Sequence, residues 1–316
     1  MSKFIIHGGK KLKGEVKISG SKNAALPIIA ATVLIKGRTT LYNVPNIQDV
    51  QTMFEIIKDI GGKVTKKNNK VIIDTSKVHT YEIPEELMRK MRSSVILAGA
   101  IIGKYHKANF SYPGGCDIGA RPIDLHLKGF EKLGIEIKEE YGEIVCSSEE
   151  IVGTQINLDF PSVGATENII LASCLAEGTT VLTNSAKEPE IEDLVNFLNK
   201  AGAKIKGAGT DRIEIIGVRK LSEISYNIMP DRIEAGTYLV AGAITGGDIK
   251  ITNANPRHIE PILNKLEETN CKIITQNNEI EIIAPRRLKA VDIKTMPYPG
   301  FPTDLQSIFT ALLTHA

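Results

Sequence analysis

The heptapeptide Gly178-Thr179-Thr180-Val181-Leu182-Thr183-Asn184 has two counterparts elsewhere in the chain. They are Gly37-Arg38-Thr39-Thr40-Leu41-Tyr42-Asn43 and Gly247-Asp248-Ile249-Lys250-Ile251-Thr252-Asn253. Each follows a helical pattern of apolar residues and precedes a second helix, a turn and two short strands. The strands alternate with period two, whereas the helices carry apolar residues every three or four positions. We therefore interpret the chain as a repeat of βαβαββ-type units about 70 residues long, which predicts an α/β protein.

A further unit, between the first and the third, is longer than its neighbours. From turn glycine to helix-closing glycine it takes 31 residues (Gly103 to Gly134), against 24 in the first (Gly37 to Gly61) and third (Gly178 to Gly202). The seven extra residues lie in the glycine-rich stretch 111–125, which contains Cys116 and Arg121. We expect a mobile loop that acts as a lid, with Arg121 favouring the thiolate. The alternative is a tolerated surface insertion with an inert thiol.

Composition and charge exclude several classes of protein. A net charge of +2 argues against a nucleic acid or a membrane surface as the partner. The four cysteines are far apart and form no CxxC pair. This spacing indicates neither a metal site nor a disulfide framework, and it favours a cytoplasmic location. No signal peptide or membrane span is evident, and we expect no cofactor.

Polar residues begin the first helix of every unit. These segments are Ser21-Lys22-Asn23, Arg89-Lys90-Met91-Arg92-Ser93, Ser162-Val163-Gly164-Ala165-Thr166, Pro230-Asp231-Arg232 and Thr303-Asp304. Helix N-termini offer N–H groups and the positive end of the dipole to phosphate and carboxylate. We expect Lys22, Arg92, Arg121 and Arg232 to converge on an anionic ligand. For any single one of them, the alternative is a surface cation or a capping residue.

These segments resemble the UDP-N-acetylglucosamine 1-carboxyvinyltransferase (enolpyruvyl-UDP-N-acetylglucosamine synthase) family. The resemblance rests on residues 22–27, 113–124, 162–166, 230–234 and 300–304, and it extends over the whole chain. It implies an inside-out α/β barrel of two domains, each built from three βαβαββ units. The first domain is then 22–229, and the second is 1–21 plus 230–316.

The resemblance implies an enzyme with a defined reaction. The family moves the enolpyruvyl group of phosphoenolpyruvate to the 3-hydroxyl of UDP-N-acetylglucosamine and releases phosphate, in the first committed step of peptidoglycan synthesis. It is the target of the epoxide antibiotic fosfomycin, for which the expected attachment point is Cys116. Two alternatives stay open: a shikimate-type enolpyruvyl transferase, which the Cys116 loop disfavours, and a non-catalytic chain that only binds the UDP-sugar.

The resemblance also assigns roles to residues. Cys116 matches the proton donor, Asp304 the general base, and Lys22 with Asn23 the phosphoenolpyruvate site, with Lys22 also catalytic. The positions that hold the UDP-sugar match Arg92, Arg121, Pro122, Ile123, Asp124, Leu125, Ser162, Val163 and Gly164. Asp231 and Arg232 match residues that face the same cleft. Some members have a lysine where this chain has Phe160, so a cationic contact to the diphosphate is missing here.

The spacing of the repeat also leads to an expectation about the end of the chain. The turn glycine follows the helix start by fourteen residues (Asn23 to Gly37, Gly164 to Gly178), which from Asp304 gives position 318. We therefore expect a C-terminally truncated chain with an incomplete second domain. We also expect the apolar helix after Asp304 to lack packing partners, and turnover by the 316-residue chain to be undetectable.

Overall fold

The computed structural model describes residues 3–114 and 122–316, so Cys116 and Arg121 lie outside the described residues. The strands are β1 (Lys13–Lys17), β2 (Arg38–Tyr42), β3 (Lys63–Lys67), β4 (Lys70–Asp74), β5 (Lys107–Ser111), β6 (Glu136–Glu140), β7 (Glu143–Ser147), β8 (Gln155–Asn157), β9 (Thr179–Thr183), β10 (Lys204–Lys206), β11 (Arg212–Ile216), β12 (Ile224–Asn227), β13 (Asp248–Thr252), β14 (Lys272–Gln276) and β15 (Glu279–Ile283). The α-helices are α1 (Lys22–Ala31), α2 (Gln48–Asp59), α3 (Glu85–Lys90), α4 (Ile96–Tyr105), α5 (Asp124–Lys132), α6 (Val163–Ser173), α7 (Pro189–Lys200), α8 (Arg232–Ile244), α9 (Glu260–Glu268) and α10 (Gln306–Leu313). Short 3-10 helices cover Thr32–Leu34, Arg92–Val95, Pro256–Ile259 and Thr303–Leu305.

The predicted repeat is confirmed by the strand order of the sheets. Three four-stranded sheets in the described part of the chain have the orders β12-β2-β4-β3, β8-β9-β11-β10 and β1-β13-β15-β14. In each sheet the strand from the heptapeptide lies between a parallel outer strand and the antiparallel return strand of the hairpin. The fourth sheet, β5-β7-β6, has an isolated parallel bridge between Glu82 and Asn109 in place of the outer strand.

The asparagine that ends each heptapeptide has a structural role. Asn43, Asn184 and Asn253 adopt left-handed conformations with φ of 55°, 54° and 57°. Asparagine tolerates this conformation better than most residues. Each side-chain amide donates to the carbonyl of the residue that follows the parallel strand, at 2.9 Å (Ile228), 2.7 Å (Leu158) and 2.8 Å (Ile18) respectively. The asparagine therefore turns the chain and fastens the parallel strand.

The second copy of the repeat differs from the prediction at its turn. Gly103 lies inside α4, and the left-handed residue before β5 is His106, with φ of 56°. A Cβ at Gly103 would lie 2.8 Å from the carbonyl oxygen of Leu171, so glycine lets α4 approach α6 closely. Counted from His106, the copy takes 28 residues to Gly134, so the insertion is four residues rather than seven. The loop between β5 and α5 is still seven residues longer (112–123 against 43–47), because α5 is three residues shorter than α2.

The chain divides into two compact units with separate hydrophobic cores. The larger unit is Gly20–Met229, and the smaller unit combines Met1–Ser19 with Pro230–Ala316. In the larger unit, α1, α4 and α6 are buried almost all round, which their apolar and small residues permit. These three helices form its centre, and the start of each is a place where the predicted site residues cluster.

The expectation that the helix after Asp304 lacks packing partners is wrong. Leu305, Phe309 and Leu312 are fully buried in the core of the smaller unit, and Ile308 and Leu313 are half-buried. The rings of Phe301 and Phe309 meet edge to face with centroids 4.9 Å apart. Leu305 packs on α8 at Gly236, where a Cβ would lie 2.5 Å from its Cδ1. Residues already present in the smaller unit therefore cover most of the apolar face of this helix.

Candidate functional site

Two of the central helices in the larger unit begin with a serine cap. The hydroxyl of Ser21 accepts a hydrogen bond from the Ala24 N–H, and that of Ser162 accepts one from the Ala165 N–H, both at 3.3 Å. A cap satisfies one donor of the first turn and leaves others for water or a ligand. Two of the five predicted anion-binding segments, at 22–23 and 162–164, thus lie at helix N-termini, where negative charge is stabilised.

Lys22 is placed where an anionic ligand can reach it. Its Nζ lies 3.6 Å from Oδ2 of Asp49, and the two side chains are 45% and 38% exposed. An ion pair this exposed contributes about 0 to 1 kcal/mol. Lys22 can therefore exchange Asp49 for a ligand phosphate or carboxylate at small cost. Asn23, the next residue of α1, is half-buried.

Several residues predicted to bind the UDP-sugar surround a histidine that the sequence analysis missed. His126, on the buried face of α5, is influenced by the charges of Arg92 and Asp124. A Cβ built on Gly164 would lie 3.0 Å from Cε1 of this histidine. Pro122 and Ile123 lead into α5, and Leu125 lies in its first turn. The structure therefore brings the starts of α5 and α6 and the 3-10 helix at Arg92 together around His126.

His126 is neutral at physiological pH. Burial lowers its pKa to about 4, and the positive charge of Arg92 acts in the same direction, while Asp124 opposes them. Its Nδ1 lies 2.7 Å from the amide nitrogen of Asn168 on α6. A lone histidine between apolar residues usually indicates a core position, so sequence alone gave no reason to select it.

Buried carboxyl groups are a second feature that the sequence analysis missed. Glu167 on α6 and Glu190 on α7 are almost completely buried. Burial raises the pKa of Glu167 well above its usual value, and the charges of Glu190 and Glu188 raise it further. Glu167 is therefore a protonated carboxylic acid over a pH range in which an exposed glutamate is ionised.

In the smaller unit, the predicted residues Asp231 and Arg232 begin α8. One carboxylate oxygen of Asp231 accepts from the N–H groups of Ile233 (2.8 Å) and Glu234 (3.0 Å), so Asp231 is the helix cap. Arg232 is buried, and its guanidinium lies 5.5 Å from the ring centroid of Tyr298. Asp304 is exposed in the 3-10 helix Thr303–Leu305, which places its carboxylate in solvent.

Burial makes the thiols in the described part of the chain unreactive. Cys146, Cys174 and Cys271 are buried and are not joined in a disulfide. Burial raises the pKa of Cys146 and of Cys174 to about 12, and it also raises the pKa of Cys271. Within residues 3–114 and 122–316, no group of His, Cys, Asp or Glu side chains is arranged to hold a metal ion. In the same residues, no helix is both long enough and apolar enough to cross a bilayer.

Comparison with known proteins identifies the family. The family model described as EPSP synthase (3-phosphoshikimate 1-carboxyvinyltransferase) matches residues 6–316. UDP-N-acetylglucosamine 1-carboxyvinyltransferase 2 of Caldanaerobacter subterraneus subsp. tengcongensis is 54% identical over 317 residues, covering 100% of this chain and 76% of the relative. UDP-N-acetylglucosamine 1-carboxyvinyltransferase of Geobacter metallireducens is 48% identical over 313 residues, covering 99% of this chain and 75% of the relative. The chain belongs to the UDP-N-acetylglucosamine 1-carboxyvinyltransferase family.

Solved structures agree on the fold of this carboxyvinyltransferase. The enolpyruvyl transferase NikO from Streptomyces tendae has a TM-score of 0.87 at 22% identity, covering 98% of this chain and 74% of its own. EPSP synthase from Acinetobacter baumannii has a TM-score of 0.69 at 21% identity, covering 90% of this chain and 67% of its own. At such identities the likeness concerns the fold alone. The predicted enolpyruvyl-transferase fold, the predicted family and the prediction of an enzyme are all confirmed.

Proposed function

We propose that this carboxyvinyltransferase moves the enolpyruvyl group of phosphoenolpyruvate to the 3-hydroxyl of UDP-N-acetylglucosamine and releases phosphate. It thereby catalyses the first committed step of peptidoglycan synthesis, on which cell shape and cell division depend. The observation that carries the proposal is the 54% identity, over the whole chain, to a protein named for this reaction. We place the reaction in the cytoplasm, which the wide spacing of the four cysteines supports.

The residue roles follow the order of bond changes. Cys116 delivers a proton to the vinyl CH2 of phosphoenolpyruvate, which makes C2 electrophilic. The 3-hydroxyl attacks C2 while Asp304 accepts its proton. C2 then carries the phosphate, the carboxylate, a methyl group and the new ether oxygen. A methyl proton then returns to the Cys116 thiolate and phosphate leaves with the proton held by Asp304. The vinyl group is restored, and both acid–base groups end in their starting protonation states.

The remaining site residues hold the substrates. Lys22 and Asn23 bind phosphoenolpyruvate, and the exposed position of Lys22 at the start of α1 supports this role. The UDP-sugar is held by Arg92, Arg121, Pro122, Ile123, Asp124, Leu125, Ser162, Val163 and Gly164. The grouping of Arg92, Asp124 and Gly164 around His126 supports a shared ligand for these three. Asp231 and Arg232 take part through the start of α8, where Asp231 is the cap.

The proposal is tested by the acceptor dependence of phosphate release. The complete product of the reading frame that encodes this chain is incubated with phosphoenolpyruvate and either UDP-N-acetylglucosamine or shikimate 3-phosphate. We expect phosphate release with the UDP-sugar only. Release with shikimate 3-phosphate alone would favour the shikimate-type transferase, whose name the family model carries.

Variants test the two acid–base roles. Asp304→Asn should abolish phosphate release, whereas Asp292→Asn, at another exposed position of the smaller unit, should leave it intact. Cys116→Asp should retain turnover but lose sensitivity to fosfomycin, because a carboxylic acid can donate the proton but forms no comparable thioether. Full activity of Asp304→Asn would remove Asp304 from the mechanism.

A further inference from the structure

Asp193, on the buried face of α7, makes two hydrogen bonds that lead away from its own helix. The residue is only 8% exposed. Its Oδ1 accepts from the hydroxyl of Tyr226 on β12 (2.7 Å), and its Oδ2 accepts from the backbone N–H of Met229 (3.2 Å). The ring of Tyr226 is packed edge to face against Phe197, with centroids 5.5 Å apart. A packed ring therefore fixes one oxygen of the carboxylate, and the other oxygen holds the backbone of Met229.

Met229 connects this carboxylate to the start of α1. Its carbonyl accepts a hydrogen bond from the N–H of Ser21 at 2.8 Å. Ser21 is 1% exposed and caps α1, because its hydroxyl accepts from the N–H of Ala24 at 3.3 Å. Residues 22–23, which follow the cap, are the first two residues of the helix. A chain of hydrogen bonds thus runs from Asp193 to the first turn of α1, entirely within the larger unit.

The first link of this chain is a carboxylate at the pH of a typical assay. Burial raises the pKa of Asp193 to about 6, the hydrogen bonds from Tyr226 and Met229 oppose this effect, and the charge of Glu190 adds to it. At about pH 8 the group is therefore ionised. A hydrogen bond to an ionised acceptor is roughly twice as strong as one between neutral groups. The backbone of Met229 is accordingly held more firmly than by an ordinary hydrogen bond.

The end of β12 is already anchored without this carboxylate. One residue before Met229, the carbonyl of Ile228 accepts from the side-chain amide of Asn43 (2.9 Å), and its N–H donates to the carbonyl of Tyr42 (3.1 Å). A buried carboxylate costs free energy that an apolar side chain would not. Anchoring of the strand therefore does not account for Asp193, whereas precise placement of Met229 and of the cap that follows it does.

We propose that Asp193 is a positioning residue for phosphoenolpyruvate: through the backbone of Met229 and Ser21 it fixes the start of α1, where residues 22–23 bind this substrate. The identity of the ligand rests on the proposed function. Binding groups must be held within about 0.5 Å of their working positions, and a misplacement of about 1 Å can cost roughly a hundredfold in rate. The chain of hydrogen bonds leads to α1 and not to the starts of α5 and α6, so its loss affects phosphoenolpyruvate and spares the UDP-sugar.

Two substitutions separate the hydrogen bond to Met229 from the negative charge. Asp193→Ala removes the acceptor of the Met229 N–H. Asp193→Asn keeps an acceptor for it, and its amide can donate to the oxygen of Tyr226, whose hydroxyl then donates to the backbone carbonyl of residue 193, already 3.1 Å away. Glu192→Ala, at the exposed neighbouring position of α7, is the matched control.

The assay is steady-state phosphate release by the complete gene product, with each substrate varied while the other is saturating. We expect Asp193→Ala to raise the KM for phosphoenolpyruvate about tenfold and to change the KM for UDP-N-acetylglucosamine by less than about twofold. Asp193→Asn and Glu192→Ala should leave both KM values within about twofold of the wild type. A residue that merely stabilised the fold would not change the two KM values differently.

A spectroscopic measurement on the wild type remains decisive where Asp193→Ala fails to fold. With carbon-13 in the aspartate carboxyl groups and nitrogen-15 in the backbone, the carboxyl carbon of Asp193 and the amide of Ser21 should follow one titration curve. Asp193→Asn should remove this step from the curve of Ser21. It thereby distinguishes Asp193 from the charged and titratable groups around it, which are Tyr226 on β12, Glu190 and Lys200 on α7 and, beyond Glu190, Glu167 on α6.

The outcomes separate this inference from the proposed function. The role of Asp193 is wrong, and the function stands, if Asp193→Ala leaves the KM for phosphoenolpyruvate unchanged or raises both KM values alike. The same holds if Asp193→Asn behaves like the alanine variant, or if the amide of Ser21 is unaffected while Asp193 titrates. If the wild type releases no phosphate with the UDP-sugar as acceptor, the proposed function fails and this inference fails with it.

Discussion

The reactivity of the four thiols can be calculated from their surroundings. At about pH 7.5 a thiol with the ordinary pKa of about 8.5 is roughly one-tenth thiolate. Cys146 and Cys174, whose pKa values burial raises to about 12, contain about 3,000-fold less thiolate at that pH. A more basic thiolate is intrinsically more nucleophilic, with a Brønsted slope of about 0.45, which recovers roughly 40-fold. The net effect is a rate about 75-fold below that of an ordinary thiol, and the barrier of burial slows the reaction further.

We therefore predict that an aromatic disulfide reagent modifies Cys116 at least about 75-fold faster than Cys146 or Cys174 in the native protein. Cys271, whose pKa is raised by burial, should also react slowly. The assay is a time course of labelling followed by peptide mapping. Unfolding in guanidinium is the control, because all four thiols should then react at similar rates. Equal labelling of the four in the native protein would refute the reasoning, and fosfomycin should form its adduct at the same fast-reacting residue.

Three further predictions concern stability, measured by urea unfolding. Asn184→Ala should lower the free energy of unfolding by about 2 to 3 kcal/mol, and Asn184→Gly by only about 1 kcal/mol. Both variants lose the hydrogen bond to the Leu158 carbonyl, but only alanine is strained at φ 54°. Equal losses would contradict this account. Phe309→Ala should lower the free energy of unfolding by about 3 to 5 kcal/mol, because the ring is buried against Phe301. Thr310→Ala, at an exposed position, should change it by about 0.5 kcal/mol or less. A small effect at Phe309 would mean that α10 is not packed. Glu167→Gln should stabilise the protein more at about pH 8 than at about pH 5, unlike the exposed Glu131→Gln. The pKa of Glu167 in the folded protein lies above its unfolded value of about 4.3. The wild type therefore loses stability as the pH rises from the unfolded pKa to the folded pKa, and the glutamine variant does not. A pH-independent effect would contradict the raised pKa.

Local sequence predicted the repeat well because each unit has its own periodicity and turn residues. The heptapeptide that ends in Asn184 recurs with its glycine and asparagine at the same spacing, and its strand β9 has the alternating burial of a half-buried strand. Gly103 was misassigned because a glycine after an apolar helix resembles a turn. Its actual cause is the approach of α6 to α4, a contact between segments about 70 residues apart in the chain. No local pattern encodes such a contact.

Pairings between distant segments also explain what was missed at the site. The parallel strand β12 joins β2 across more than half of the larger unit, and nothing near either strand specifies this partner. His126 can be recognised as part of the site only from its contacts with Asn168 and Gly164, both on α6. By contrast, the polar starts of α1, α6 and α8 could be located from sequence, since capping residues and the following apolar run are local signals.

The central claim, enolpyruvyl transfer to the UDP-sugar, is tested most directly by the structure of the product. The complete gene product is incubated with UDP-N-acetylglucosamine and phosphoenolpyruvate labelled with carbon-13 at C2, and the nucleotide-sugar fraction is examined by mass spectrometry and NMR. The account predicts one new compound in which the labelled carbon is joined through the 3-oxygen of the sugar and bears an intact vinyl CH2, with one phosphate released per molecule formed. Labelled carbon attached at another hydroxyl, or phosphate released without a labelled sugar, would contradict it.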